Sequence, residues 1–205
     1  MGIAFRVYEV SQRLDRPMLP RIASSIAIIV IAVFGCAERS PQQQMIPAVM
    51  DGDIAKVEAL LNDTDHVDVN WRAGGDSTSA LMTAADFDQA KVAVLLLQRG
   101  ADPNLTTAEG WSPLLSAAYY GHADMVRLLL GAGARPNTAE TRYGYSPLTI
   151  AASKGHTEVV RLLLNAGADR SVKARNGRDA ADMARDHGHM ETLEVLNSYQ
   201  PSPGG

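Results

Sequence analysis

Two imidazoles flank a glycine in His187-Gly188-His189, and two more stand at His122 and His156. Imidazole is a common ligand for zinc, so metal binding is the first chemistry to weigh. The spacing argues against it. His122, His156 and His189 each follow a glycine and lie 34 and 33 residues apart. Each therefore holds the same place in a recurring unit, where a ring serves local backbone groups. The stretch "NDTDHVDVN" (62–70) carries acids at alternate positions but lacks the glycine and distal glutamate of a calcium loop. No Gly-rich phosphate loop and no serine in a nucleophile elbow is present. Cys36, the single cysteine, leaves no partner for a disulfide within the chain and no multi-cysteine zinc or redox motif. The reading is a non-enzyme with no catalytic residue, no cofactor and no metal. The side chains that stand out suit recognition: Tyr119 and Tyr120 are adjacent in "SPLLSAAYYGH". Successive helical residues point about 100° apart, so one narrow apolar stripe does not easily take both rings.

The elements that must position these rings come from a repeat. "SPLLSAAYYGHADMVRLLLGAGARPN" (112–137) matches "SPLTIAASKGHTEVVRLLLNAGADRS" (146–171) almost position for position, and "SALMTAADFDQAKVAVLLLQRGADPN" (79–104) is a third copy. A fifth unit begins near 176, and the first, "IPAVMDGDIAKVEALLND" (46–63), keeps only the second half of the pattern. Ser112-Pro113 and Ser146-Pro147 place an N-cap oxygen before a proline whose missing N–H is harmless in the first turn. Leu114, Ala117 and Ala118, and likewise Leu148, Ala151 and Ala152, then give a face of mostly small residues that allows close stacking. Gly121, Gly155 and Gly188 stop each first helix. Second helices carry Asp124, Glu158 or Glu191 in the first turn and then turn apolar, as in Val126, Leu128, Leu129 and Leu130. Gly100, Gly133 and Gly167 end them. Extended segments such as "NLTTAEGW" and "NTAETRYGY" connect to the next unit as projecting fingers. A lone helix pair has nothing to bury its leucines against, so the units must stack.

The Ser-Pro-Leu, Gly-His and Gly-Ala-Asp landmarks resemble those of the ankyrin repeat. The resemblance implies an all-α fold, an ankyrin repeat solenoid of helix-turn-helix units with projecting β-hairpin-like fingers. It covers residues 46–199, in five units at 46–75, 76–108, 109–142, 143–175 and 176–199. In such a stack the first helices and fingers line a concave face, with the two residues before each Gly-His near its rim. Here those pairs are Met50-Asp51, Asp86-Phe87, Tyr119-Tyr120, Ser153-Lys154 and Asp186-His187. They vary while the framework stays constant. Of the eight aromatic residues between 46 and 199, seven fall on rim or finger positions, Tyr199 being the exception. Aromatic and arginine side chains are frequent interface anchors. The partner-binding candidates are therefore Trp71, Arg72, Phe87, Trp111, Tyr119, Tyr120, Arg142, Tyr143, Tyr145 and Lys154. Trp111 and Tyr145, which precede the Ser-Pro starts, have the alternative role of bracing each finger.

Ahead of the repeats, "IASSIAIIVIAVFG" (22–35) is an uncharged run of 14 residues following Arg6, Arg13, Arg16 and Arg21. As a helix it spans about 21 Å against a hydrocarbon core of about 30 Å, which suits a secretory h-region better than a membrane span. "VFGC" (33–36) resembles the lipobox of bacterial lipoprotein signal peptides, although Phe34 stands where a small residue is usual. That resemblance implies cleavage before Cys36 and lipid on its sulfur. The division is then a signal peptide at 1–35, a flexible tether at 36–45, the repeat domain, and a disordered tail at 200–205. Met1 and Met18 are alternative starts. With either, the arginines hold the N-terminus inside and send the rest across, and an uncleaved anchor would give the same sidedness.

Nineteen basic residues against 23 acidic ones give a net charge of −4 with no run of five like charges, which disfavours nucleic acid. Removing residues 1–35 leaves 15 basic and 21 acidic residues, a net of −6, so membrane attachment would come through the lipid on Cys36. The expectation is a monomeric, non-catalytic protein-binding module on the periplasmic side of a bacterial membrane. Ala37 resembles outer-membrane sorting more than inner-membrane retention. The unidentified partner is an envelope protein bound through a concave aromatic groove. Alternatives are an immunity protein that neutralises a secreted toxin, or a passive scaffold.

Overall fold

The computed structural model describes residues 40–62, 67–73 and 78–200; the expected signal peptide, Cys36 and the tail from residue 201 lie outside them. Ten helices are described. They are α1 (Pro41–Met50), α2 (Ile54–Asn62), α3 (Ala80–Asp86), α4 (Ala90–Gln98) and α5 (Pro113–Tyr120), then α6 (Ala123–Gly131), α7 (Pro147–Lys154), α8 (Thr157–Asn165), α9 (Ala180–Asp186) and α10 (Met190–Ser198). The odd-numbered helices pack in one row and the even-numbered helices in a second, each pair forming one unit. Among the described residues no helix is long and apolar enough to cross a membrane.

Local chemistry sets the helix starts. Ser79, Ser112, Ser146 and Asp179 have extended backbones, and their side chains accept the N–H of the third helical residue. Each such cap is worth about 1 kcal/mol. Between the rows lies the core: Leu114, Leu115, Met125, Val126 and Leu129 from the third unit, and Leu148, Val159, Val160 and Leu163 from the fourth, are all almost fully buried. Burying each such leucine contributes about 1.5–3 kcal/mol, which the neighbouring unit makes possible. Leu128 and Leu130 are only half-buried and flank this seam.

Two features depart from expectation. Residues 41–45, assigned to a flexible tether, belong to α1: Ser40 caps it in a capping box with Gln43, and Met45, Ala48 and Val49 are buried. The polar glutamines hid it, and Pro47 lies inside the helix. Packing against the next unit offsets the hydrogen bond that Pro47 removes. The fingers also carry less strand than the term hairpin suggests. Among the described residues β structure is confined to the first finger, where β1 (Arg72–Ala73) pairs antiparallel with β2 (Thr78–Ser79) in the register Arg72↔Ser79. The other fingers are turns, closed by Thr107 N–H to Trp111 O, Glu140 N–H to Tyr145 O, and Ala174 N–H to Arg178 O, at 2.9, 3.1 and 2.9 Å, with Gly110 N–H to Thr107 O and Gly177 N–H to Ala174 O inside the second and fourth.

Two hydrogen-bond ladders tie unit to unit. Gln89 Nε2 donates to Met50 O at 3.1 Å, and His122, His156 and His189 place Nε2 at 3.4, 3.0 and 3.1 Å from the carbonyls of Asp86, Tyr119 and Ser153. The histidines thus serve the preceding unit rather than local backbone. The His156 and His189 rings each lie over that unit's glycine: a Cβ on Gly121 would fall 2.6 Å from His156 Nδ1. Glycine is needed there twice over, since its φ is +79°. Asn70, Asn104 and Asn137 form the second ladder, each amide donating to a glycine carbonyl that ends the next second helix, at 3.3, 3.0 and 3.3 Å. Their Oδ1 atoms accept the N–H of Asp102, Arg135 and Asp169. At the end of the stack Tyr199 Oη donates to Leu164 O at 2.9 Å.

Candidate functional site

The first-helix and finger side of the stack gathers most of the singled-out rings into two clusters. The first is built on α5. Tyr119 and Tyr120 leave the last turn of that helix with ring centroids 4.9 Å apart and planes at 83°, an edge-to-face pair. Because consecutive residues diverge around the helix, the two rings meet different surroundings. Tyr119 leans back on the core and meets Trp111 edge-on at 6.1 Å, whereas Tyr120 is 52% exposed and stacks on His122 at 5.7 Å. From the next unit Lys154, at the end of α7, holds its Nζ over the Tyr119 ring, 4.4 Å from the centroid. A cation over an aromatic face is attracted by about 0.5–1 kcal/mol at an exposed site.

Trp111 is half-buried, and its Nε1–H donates to Ser116 Oγ at 2.8 Å. Ser116 is fully buried and also hydrogen-bonds the Asp86 side chain. Partial burial raises the Asp86 pKa; the Ser116 bond and the nearby His122 oppose that shift without cancelling it. His122 Nδ1 faces Asp88 Oδ2 at 3.8 Å. Asp88 occupies, at φ 53°, the left-handed position that glycine fills in the other units. Ser116 and Asp86 are members of the site absent from the partner-binding candidates, although Asp86 stands in a rim pair. Their one sequence signal is polar character where Ile150 and Tyr119 stand in the respective next units.

The second cluster is the third finger. Tyr143 and Tyr145 stack at 5.7 Å, and the Arg142 guanidinium lies over the Tyr143 ring at 5.2 Å. Tyr143 is 51% exposed; Tyr145 is half-buried against the core. Glu140 holds the turn. Its carboxylate is almost fully buried and accepts three backbone N–H groups, from Arg142 at 2.6 Å, Tyr143 at 2.7 Å and Tyr145 at 3.0 Å. Sequence reasoning missed Glu140 because its repeat equivalents are Thr106 and Lys173, so no period marks it. The finger tips are joined as well: Thr141 N–H donates to Glu109 O and Arg175 N–H to Tyr143 O, both at 2.8 Å.

Trp71, Arg72 and Phe87 enter neither cluster among the described contacts. Trp71 is half-buried on the first finger beside the exposed Arg72, and Phe87 is 50% exposed at the end of α3. Trp111 and Tyr145 both pack on the core, which fits bracing for the buried part of each ring. The histidine pair at the chain's end is engaged by backbone: His187 Nδ1 lies 2.9 Å from Met183 O and His189 Nε2 lies 3.1 Å from Ser153 O. Among the described residues no group of three or more His, Cys, Asp or Glu side chains is placed to hold a metal ion.

A family model described as ankyrin repeats in three copies matches residues 45–140, and a second, described as ankyrin repeats in many copies, matches residues 117–164. A search of curated proteins finds no significant match.

Proposed function

Because the chain belongs to the ankyrin repeat family, whose stacked units are protein–protein interaction modules, we propose that it binds an envelope protein through the aromatic groove between its fingers and first helices. The module works without chemistry of its own, on the periplasmic side of a bacterial membrane, held there by lipid on Cys36. The observation that carries the reading is the Tyr119–Tyr120 pair: one ring is fixed on the core and the other stands 52% exposed beside it, with Lys154 overhead. A ring already immobilised loses little entropy when a partner covers it, which is why such rings anchor interfaces. The groove reading needs only that the stack holds the rings still, which the two hydrogen-bond ladders favour.

Crosslinking in intact cells followed by mass spectrometry identifies the partner, whose affinity is then measured by titration. Tyr120→Ala, which removes an exposed ring, and the Tyr119→Ala/Tyr120→Ala double variant are expected to weaken binding by about 2 kcal/mol or more while the helical circular dichroism persists. Unchanged affinity would remove the groove and favour a scaffold acting through other surfaces. For the anchor, intact-mass measurement of the membrane-extracted protein is expected to show loss of residues 1–35 and added acyl mass. A chain retaining those residues would refute it.

A further inference from the structure

Charge is unevenly spread along this face. The first two units and the tip of the second finger present Asp51, Asp88 and Glu109, all exposed, with Asp86 half-buried among them and Arg72 on the first finger. Toward the third and fourth fingers the sign reverses. Arg142 and Arg175 hold the same place in successive fingers, two residues before Gly144 and Gly177, and those tips are joined by the Arg175 N–H to Tyr143 O bond. Lys173 is exposed on the same finger as Arg175, and Lys154 stands on the adjacent rim.

The acids closest in the chain to these cations are already engaged: Glu158 faces Arg127 at 3.6 Å, Asp169 accepts from the N–H and hydroxyl of Ser171, and Asp179 accepts the Asp182 N–H. Glu140 turns inward to three backbone N–H groups, Asp186 pairs with Arg178 at 2.6 Å, and Asp182 pairs with Arg185 at 2.8 Å. Among the described residues Arg142, Lys154, Lys173 and Arg175 have no ion-pair partner. Arg142 and Lys154 instead lie on the faces of Tyr143 and Tyr119. Neighbouring cations without counter-ions repel one another, and carboxylates arriving between them relieve that repulsion. Such a site in a chain of net charge −4 orients an acidic ligand, because the rest of the surface repels it.

We propose that the groove takes an acidic segment of its protein partner, with Asp or Glu side chains over Lys154, Arg142 and Arg175 and an apolar side chain against Tyr120. The acidic end lies over the third and fourth fingers, away from Asp51 and Asp88. This inference rests on the groove reading above and adds the partner's chemistry.

Random peptides displayed on phage are panned against the full chain. Synthetic versions of the enriched sequences are then titrated by fluorescence anisotropy against the parent, K154E/R175E and Y120A, at low and high salt. The selected peptides are expected to carry clustered Asp or Glu beside an apolar residue. K154E/R175E is expected to weaken them about tenfold or more, and added salt to weaken the parent's binding but not the variant's. Both substituted side chains are exposed; should helical circular dichroism nevertheless fall, R142E on the third finger repeats the test. Peptides weakened by Y120A but indifferent to charge reversal would overturn the acidic partner and leave the groove standing. Peptides indifferent to both changes would overturn both readings, and failure to enrich any sequence would overturn the acidic segment. Tighter binding of inorganic tripolyphosphate than of any acidic peptide would also overturn it, by assigning the cations to phosphate.

Discussion

Glu140→Ala tests whether one buried carboxylate holds the third finger. The substitution leaves three N–H groups without their acceptor: those of Arg142 and Tyr143 in the exposed tip, and that of Tyr145 in a half-buried position. Water replaces the acceptor at the tip, so each of those two bonds costs about 0.5–1 kcal/mol, while the enclosed Tyr145 N–H costs about 1–3 kcal/mol. Some conformational entropy returns to the loosened turn and lowers the total, leaving about 2–3 kcal/mol. Glu140→Gln should cost about 1 kcal/mol, because one oxygen survives to serve Tyr143 and Tyr145, which share Oε1, while its amide meets the Arg142 N–H head-on. The assay is urea unfolding followed by circular dichroism, with the slope compared between variants because repeat arrays can lose cooperativity. At a slope of about 2–3 kcal/mol per molar, the alanine midpoint should fall by about 1 M. Hydrogen exchange at residues 142, 143 and 145 should accelerate selectively. An alanine midpoint within about 0.3 M of the parent, or glutamine as damaging as alanine, would refute the account.

Gly121→Ala and Gly167→Ala both place a side chain at positive φ, +79° and +82°, but only the first drives a Cβ into His156, while the second meets open space. Gly167→Ala should cost about 1–2 kcal/mol from backbone strain alone, and Gly121→Ala measurably more by the same urea assay; equal losses would mean that the His156 contact is not confining. Asp86→Asn bears on pH dependence: the folded state raises the carboxyl pKa above its ordinary 3.8, so ionisation is penalised in the fold, and stability from this group is greatest below 3.8 and falls as pH rises through the folded pKa. The asparagine variant should therefore gain stability relative to the parent at pH 7 and lose that advantage by pH 3, measured by midpoints at both; an advantage that grows toward acid would contradict the sign.

The repeat and the helix caps were legible because they are written locally. Ser112-Pro113 announces a start wherever it occurs, and Gly121 a stop. The first helix was harder. Its polar opening read as a tether, and only the burial of Met45 and Val49 against α3 shows what outweighs that polarity. The aromatic candidates could be named but not sorted. Tyr119 and Tyr120 are chemically identical, and their different exposure depends on Trp111 and on Lys154 from another unit.

The order of residues by itself determined that five helix pairs must stack, because each pair's apolar face exceeds what it can cover alone. It also determined where glycine and serine punctuate them, since those signals act within a turn of chain. Tertiary structure alone decided that the histidines reach back to the preceding unit, that Glu140 turns inward, and that Lys154, Arg142 and Arg175 have no counter-ion among the described residues. Each of these depends on atoms brought close only by stacking, as with His156 and Tyr119, 37 positions apart in the chain, and a pattern of residue types carries no distance between such atoms.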